Sequence, residues 1–256
     1  MTEHESSLGI IGGSGLNHLS TLEIKHREFV RTPYGDPSGP LIFGLYADQE
    51  IVFLARHGLG HTIPPHAVNF RANIWALHSV GVRIIIAVAA VGAIIASFPS
   101  GGLAFPDQII DYTYGREHTF FDGTQGEVKH VDFSYPYDPQ VRQLLTQSAQ
   151  DCGINNCDAR CVYAATQGPR FESAAEIDRL ERDGADIVGM TGMPECGLAR
   201  EFDIRYATIA VVSNAAAGRG GEQISMDDVY ANLSSGIEKV EQVLNHAVPL
   251  VANISF

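Results

Sequence analysis

Ile84-Ile85-Ile86-Ala87-Val88-Ala89-Ala90-Val91 is an unbroken apolar run, mostly β-branched, with no polar side chain in it. Polar and apolar residues do not alternate, so neither face of the run is built for water. A strand covered on both sides reads this way. Such a strand belongs in a sheet between helices, which places the chain in the α/β class. Outward from it, Leu8–Ile11, Leu41–Tyr46, Ile51–Ala55, Gln108–Tyr112, Arg160–Ala165, Ile187–Met190 and Tyr206–Val212 read as further strands. Helix-period segments lie between them. Pro64-Pro65 opens one whose face is Val68, Phe70, Ile74 and Leu77 and which Gly81 closes. Another begins around Val141, Leu144, Leu145 and Ser148 and ends before Gly153; a short one spans Ala174 to Arg182. In the last, Ser225 and Asp228 form a capping box, and Val229, Leu233, Ile237, Val240 and Leu244 keep helical spacing up to Pro249. The expectation is one α/β domain over residues 8–256, a central mixed sheet flanked by helices, behind a flexible tail at 1–7.

Composition narrows the function classes. With 45% apolar and 18% charged residues in 256, the chain reads as an ordinary soluble globule. A formal net charge of −13 and no run of basic residues speak against nucleic acid or an anionic membrane as partner. The longest apolar stretch, Ile84–Phe98, is broken by Gly92 and Ser97 and is too short for a membrane helix. The opening MTEHESS is polar and acidic and reads as no secretory leader. Cys152, Cys157, Cys161 and Cys196 lack the paired spacing of a zinc site, and thiols so few suit a reducing cytoplasm.

Charge is unevenly placed. The chain carries 30 acidic residues, yet none falls between Ile51 and Pro106, where about six or seven would be expected at average density. Arg56, Arg71 and Arg83 stand there, with His57, His61, His66 and His78. Keeping carboxylates out of one stretch of an acidic chain points to an anion held there, since like charge in a half-dry cleft is costly. A buried segment with little room for charge is the plain alternative, and it accounts for the second half of the window only.

Four short motifs carry candidate chemistry, each with a plain reading beside it. Leu8–Leu16 (LGIIGGSGL) is a strand running into glycines around Ser14, either an oxyanion-binding loop or a tight turn. Ala55-Arg56-His57-Gly58 sets a guanidinium beside an imidazole. It suits a phosphate dianion gripped bidentately by Arg56 with His57 as an added donor, or else a solvated strand end. Prolines near His61 and His66, and the lack of a nearby acid, speak against a metal among these histidines. Thr166–Ala175 (TQGPRFESAA) places Phe171 beside Glu172, an aromatic to stack on a flat heterocycle and a carboxylate to accept a ring N–H, or simply a helix start. Val211–Gly218 (VVSNAAAG) ends a strand with Ser213 and Asn214, an amide able to read a ring edge or to form a turn.

In this order, with Val188–Pro194 (VGMTGMP) and the segment from His61 to Leu77, the motifs resemble the purine nucleoside phosphorylase and methylthioadenosine phosphorylase family from Leu8 to about Val248. The resemblance implies a phosphate pocket of Ser14, Arg56, His57, the backbone at Ala89 and Ala90, and Thr191. It implies a nucleoside site lined by Phe171 and Met190, with Asn214, Ala215 and Ala216 along the base. Phosphate attacks C1′ as the purine leaves, with Asn214 near N7 and O6, Glu172 accepting from N1–H, and His57 at the nucleophile. No metal or organic cofactor is implied; nucleoside and inorganic phosphate are the partners. Relatives are usually homotrimers in which a neighbour's residue closes the 5′ pocket, and His130 resembles that residue. One departure is Ala89, where relatives often carry Thr or Asn.

Within the family, members that cleave 6-aminopurines carry a small hydroxyl residue at the position of Glu172 and an aspartate at that of Asn214, so this pair implies a 6-oxopurine. Where inosine-cleaving relatives place a His against the 5′-hydroxyl, this chain has Met226, with Val229 and Tyr230 one turn on. That wall is apolar and suits a methylthio group. The combination is similar to the bacterial S-methyl-5′-thioinosine phosphorylases. A general inosine/guanosine phosphorylase, a methylthioadenosine phosphorylase and a purine- or phosphate-binding module without turnover remain the alternatives.

Overall fold

The structure, a computed structural model, describes residues 7–123, 126, 128–154, 160–220 and 224–255. Apart from Ser7, the tail expected at 1–7 lies outside the described residues; the Ser7 carbonyl accepts from the N–H groups of Arg83 and Ile84 at 2.8 and 2.9 Å.

Among the described residues, one mixed sheet is built of β1 (Leu8–Gly12), β2 (Glu23–Glu28), β3 (Leu41–Tyr46), β4 (Gln49–Ala55), β5 (Ile84–Ala93), β6 (Leu103–Ala104), β7 (Gln108–Asp111), β8 (Val162–Ala165), β9 (Ile187–Gly189) and β10 (Arg205–Ala215). The order is β2-β3-β4-β1-β5-β9-β8-β7, with β10 on β5 and β6 on β10. The helices are α1 (Phe70–Ser79), α2 (Pro139–Asp151), α3 (Ala174–Arg182), α4 (Gly192–Glu201) and α5 (Met226–Ala252).

Strand β5 is the spine, and both of its faces are buried. Ile84, Ile86 and Val88 pack with Val141 and Leu145 of α2 and Leu233, Val240 and Leu244 of α5. Ile85 and Ala87 pack on the other face with Ile74 and Leu77 of α1 and Leu198 of α4. Burying a large aliphatic side chain contributes about 1.5–3 kcal/mol, so this run is a main source of the fold's stability.

One edge of β5 pairs with β10 along the whole strand. The other edge is shared. Ile84–Ala87 pair with β1, Gly92 and Ala93 pair with β9, and Val88–Val91 between them have no strand partner on that side among the described residues. The sheet is therefore split in its middle, at the ends of β1, β4 and β9.

Several elements differ from the sequence expectation. The helix expected from Pro64 begins at Phe70, because the Asn69 side chain caps it by accepting from Ala72 N–H; Pro65–Ala67 forms only a 3₁₀ turn. Helix α5 continues through Pro249 to Ala252, where a missing N–H near the end removes one backbone bond. Helix α4 escaped the pattern because Gly192, Pro194 and Gly197 break its periodicity, and Met193 within it is extended. Strand β2 is exposed along its whole length and polar, as edge strands tend to be.

Candidate active site

A cleft of about 1090 Å³ opens at the split in the sheet. Strand β1 runs into it through Gly12-Gly13-Ser14, and β4 delivers Arg56 and His57 beside it. The glycines serve packing before ligand binding. A Cβ on Gly13 would stand 2.3 Å from the Val88 carbonyl oxygen, and one on Gly12 would stand 2.0 Å from that of Leu16.

Arg56 is 1% exposed and Glu195 is fully enclosed. Nε and Nη2 of Arg56 each donate to a Glu195 carboxylate oxygen at 2.6 Å, and Nη1 donates to the Val88 carbonyl at 2.7 Å. The Tyr206 hydroxyl donates to the same carboxylate at 2.8 Å. Burial opposes the guanidinium charge, but Glu195 outweighs it and holds the Arg56 pKa above its ordinary value. Three of the five guanidinium N–H groups are thus committed. Glu195 occupies one edge of the guanidinium fork, and two N–H groups, one on Nη1 and one on Nη2, remain for a ligand.

The acid-free window is corrected. It is free of acids in sequence and not in space, because α4 brings Glu195 to Arg56, while Glu117 and Asp122 approach Arg71 at 2.8 and 3.8 Å. Of its three arginines, only Arg56 lines the cleft.

The Nδ1 of His57 lies 2.8 Å from the Ile63 carbonyl oxygen. Burial, then the charge of Arg56, pushes the His57 pKa down to about 4. At neutral pH the ring is uncharged; its one hydrogen is on Nδ1, and Nε2 carries a lone pair. His57 therefore presents an acceptor, where the sequence reading had it add a donor. Ser14 Oγ sits 3.5 Å from His61 Nε2, and the rings of His57 and His61 are 4.7 Å apart.

The bare edge of β5 completes this end. The Val88 carbonyl points into the gap and the Val91 carbonyl toward Ser213 of β10. Strand alternation then turns the Ala90 N–H to the gap and the Ala89 N–H into the β10 ladder, so Ala90 alone of the expected pair offers a donor there. Thr191, at the start of α4, closes the wall, and the Tyr163 hydroxyl accepts from its N–H at 3.4 Å.

At the other end, a bulge in β10 between Val212 and Asn214 turns both Ser213 and Asn214 into the cleft. The Ser213 hydroxyl donates to Asn214 Oδ1 at 2.8 Å, and Asn214 Nδ2 donates to the Ala215 carbonyl at 2.7 Å. Ala216 also lines the cleft. Ala215 is not among the lining residues: regular alternation past the bulge sends its side chain away. Glu172 faces this end, and the Thr166 hydroxyl donates to its Oε1 at 2.6 Å. Phe171, Met190, Met226, Val229 and Tyr230 line the remainder. Phe171, Met226 and Tyr230 are 42, 44 and 63% exposed. His130 is exposed and does not line the cleft of its own chain.

Sequence reasoning missed Glu195, Tyr206 and Thr166. Glu195 stands one residue past the VGMTGMP motif, and a buried acid among apolar neighbours was its only signal. Among the described residues, no three His, Cys, Asp or Glu side chains are arranged to hold a metal, and no helix is long and apolar enough to cross a membrane.

A model of the phosphorylase superfamily matches residues 7–249. A probable S-methyl-5′-thioinosine phosphorylase of Pseudomonas syringae pv. tomato is 50% identical over 92% of this chain and 95% of its own length. A 6-oxopurine nucleoside phosphorylase of Pyrococcus furiosus is 43% identical over 95% of this chain and 92% of its own. Among solved structures, methylthioadenosine phosphorylase from Schistosoma mansoni in complex with adenine superposes with a TM-score of 0.91 at 33% identity, covering 97% of this chain and 92% of that one. With the motifs gathered around one cleft and likeness over almost the whole length, the chain belongs to the phosphorylase superfamily.

Proposed function

We propose that the protein cleaves S-methyl-5′-thioinosine with inorganic phosphate, giving hypoxanthine and 5-methylthioribose 1-phosphate. The observation that carries this reading is one cleft holding Glu172 and Asn214 at one end and the apolar Met226, Val229 and Tyr230 beside them, with Arg56 opposite. Glu172, already bonded to Thr166 through one oxygen, keeps lone pairs for the N1–H of a 6-oxopurine. Adenine has a bare lone pair at N1, and two facing acceptors cost about 1–3 kcal/mol. The second N–H of Asn214 Nδ2 serves the ring edge at N7 and O6.

In this reading phosphate lies between Ser14, the two uncommitted Arg56 N–H groups, the Ala90 N–H and Thr191, and attacks C1′ from the face opposite the base. The breaking bond leaves positive charge on the sugar and negative charge on the purine. Asn214 meets that negative charge as it develops, which lowers the barrier more than holding the ground state does. The reaction needs no metal or organic cofactor. The protein works in the cytoplasm as a homotrimer, with His130 reaching a neighbour's 5′ end; exposed Val128 and Tyr135 flanking His130 support such a contact.

A second reading, a general 6-oxopurine nucleoside phosphorylase, is favoured by the open 5′ wall at Met226 and Tyr230. Measuring kcat/KM for S-methyl-5′-thioinosine, inosine and methylthioadenosine with phosphate separates the readings. The first substrate should lead by about tenfold or more over each of the others. A lead for inosine selects the second reading, and adenine release matching hypoxanthine release removes the Glu172 argument.

A further inference from the structure

The closed end of the cleft presents a lone pair as well as donors. The Nδ1–H of His57 is committed to the Ile63 carbonyl at 2.8 Å, and a carbonyl oxygen has no hydrogen to give, so that bond fixes which nitrogen carries the proton. Across the ring, Nε2 has no hydrogen-bond partner among the described residues, and the residue lines the cleft beside Ser14 and Arg56. Burial first, then the charge of Arg56 next in sequence, and last His61 with its ring 4.7 Å away oppose a second proton, and together they outweigh the bond to the Ile63 carbonyl, which favours one. The carboxylate on this side, Glu195, is taken up by Arg56 and Tyr206.

A lone pair at a site for an oxyanion repels it unless the anion brings a hydrogen. Monohydrogen phosphate brings one. Sulfate, with the same shape and the same charge in mildly alkaline solution, brings none. Resting on the reading of this cleft as a phosphate site, we propose that His57 selects the protonated oxyanion: its Nε2 accepts the P–OH hydrogen of HPO₄²⁻. The site then takes phosphate or arsenate and rejects sulfate. Arg56, Ser14 and the Ala90 N–H meet the unprotonated oxygens, one of which is left to attack C1′, and binding moves no proton to or from solvent.

Titration calorimetry of the whole protein with phosphate, arsenate and sulfate, at about pH 8 in buffers of different ionisation enthalpy, tests this. Phosphate and arsenate should bind with heats that do not depend on the buffer. Sulfate should bind at least about tenfold more weakly, and tighten at lower pH with uptake of about one proton. In His57→Gln, whose amide can turn a donor or an acceptor to the ligand, phosphate and sulfate should fall within about threefold of each other. Proton uptake with phosphate at about pH 8, equal affinity for sulfate in the unaltered protein, or undiminished discrimination in His57→Gln overturns the proposal and leaves phosphorolysis standing. If His57→Gln does not fold, the three anions on the unaltered protein decide alone. Absence of both phosphate binding and phosphorolysis overturns the phosphate-site reading, and this inference with it.

Discussion

At the Arg56 end of the cleft the charged groups are enclosed and held from several directions: Glu195 by both Arg56 and Tyr206, and Arg56 also by the Val88 carbonyl. At the Phe171–Tyr230 end, side chains stand 42–63% exposed on segments that follow the sheet rather than form it. The first end is assembled from β4, β5, α4 and β10, elements far apart in sequence that the core itself locks together. The second hangs on the loop after Gly168-Pro169 and on the first turns of α5. A rigid, dry site holds donors where charge will develop without reorganising, whereas an open wall can change its lining at little cost to the fold. Reaction type thus rests on the core, and the choice of nucleoside on its margin.

Breaking the enclosed end should have the largest effect. Glu195→Ala leaves the buried guanidinium with an uncompensated charge, a loss of about 3–5 kcal/mol in unfolding free energy. Urea denaturation measures it, and phosphate KM should rise as Arg56 loses its fixed orientation. Phe171→Ala at the open end is the contrast and should leave stability within about 1 kcal/mol. Equal losses in the two variants would erase the distinction between the ends.

This asymmetry also sets what could be read from the chain. The β5 run was legible because both of its faces are apolar, and Leu41–Tyr46 and Ala174–Arg182 occur where patterning places them. The motifs at Ser14, Arg56, Glu172 and Asn214 were legible as residues and do meet in one cleft. What joins them was not. Glu195 sits between Pro194 and Cys196 in a helix whose glycines and proline hide its period, and nothing local says that its partner is 139 residues away. The His57 acceptor was equally hidden, since the tautomer depends on a contact with the Ile63 carbonyl that only the folded loop supplies.

Asn214→Asp acts where β10, a strand of the core, reaches the open end and meets the base. A carboxylate there cannot donate to N7 or O6, and losing such a donor costs about a hundred- to a thousandfold in rate. The fall should appear in kcat for S-methyl-5′-thioinosine, with stability little changed because among the described residues the Asn214 side chain bonds to Ser213 and Ala215 alone. A rise in KM with kcat unchanged would make Asn214 a holder of the ground state.

A pH series sharpens the same contrast. The His57 pKa is about 4 in the folded chain against 6.5 for the ordinary side chain. Between these values the unfolded chain binds the extra proton and the folded chain does not, so stability falls as pH drops through that window; above it the effect vanishes. The contribution reaches at most about 3 kcal/mol near the lower limit. Subtracting the unfolding free energies of His57→Gln from those of the unaltered protein, pH by pH, isolates it. A flat difference would mean that the enclosed end does not hold this imidazole neutral.

Met226→His should produce the smallest change, and one confined to specificity. Met226 opens α5 with 44% of its surface exposed, so replacing it removes little packing. An imidazole there gives a 5′-hydroxyl a hydrogen-bond partner and gives a methylthio group none. The ratio of kcat/KM for inosine to that for S-methyl-5′-thioinosine should rise by about tenfold, the worth of one modest hydrogen bond. If the open end alone chooses the sugar, kcat with saturating phosphate should stay within about threefold, since nothing at the Arg56 end has moved. A large drop in kcat with both substrates would show that the margin and the core are coupled, and that the apolar 5′ wall helps to align C1′ with the nucleophile as well as to select the substrate.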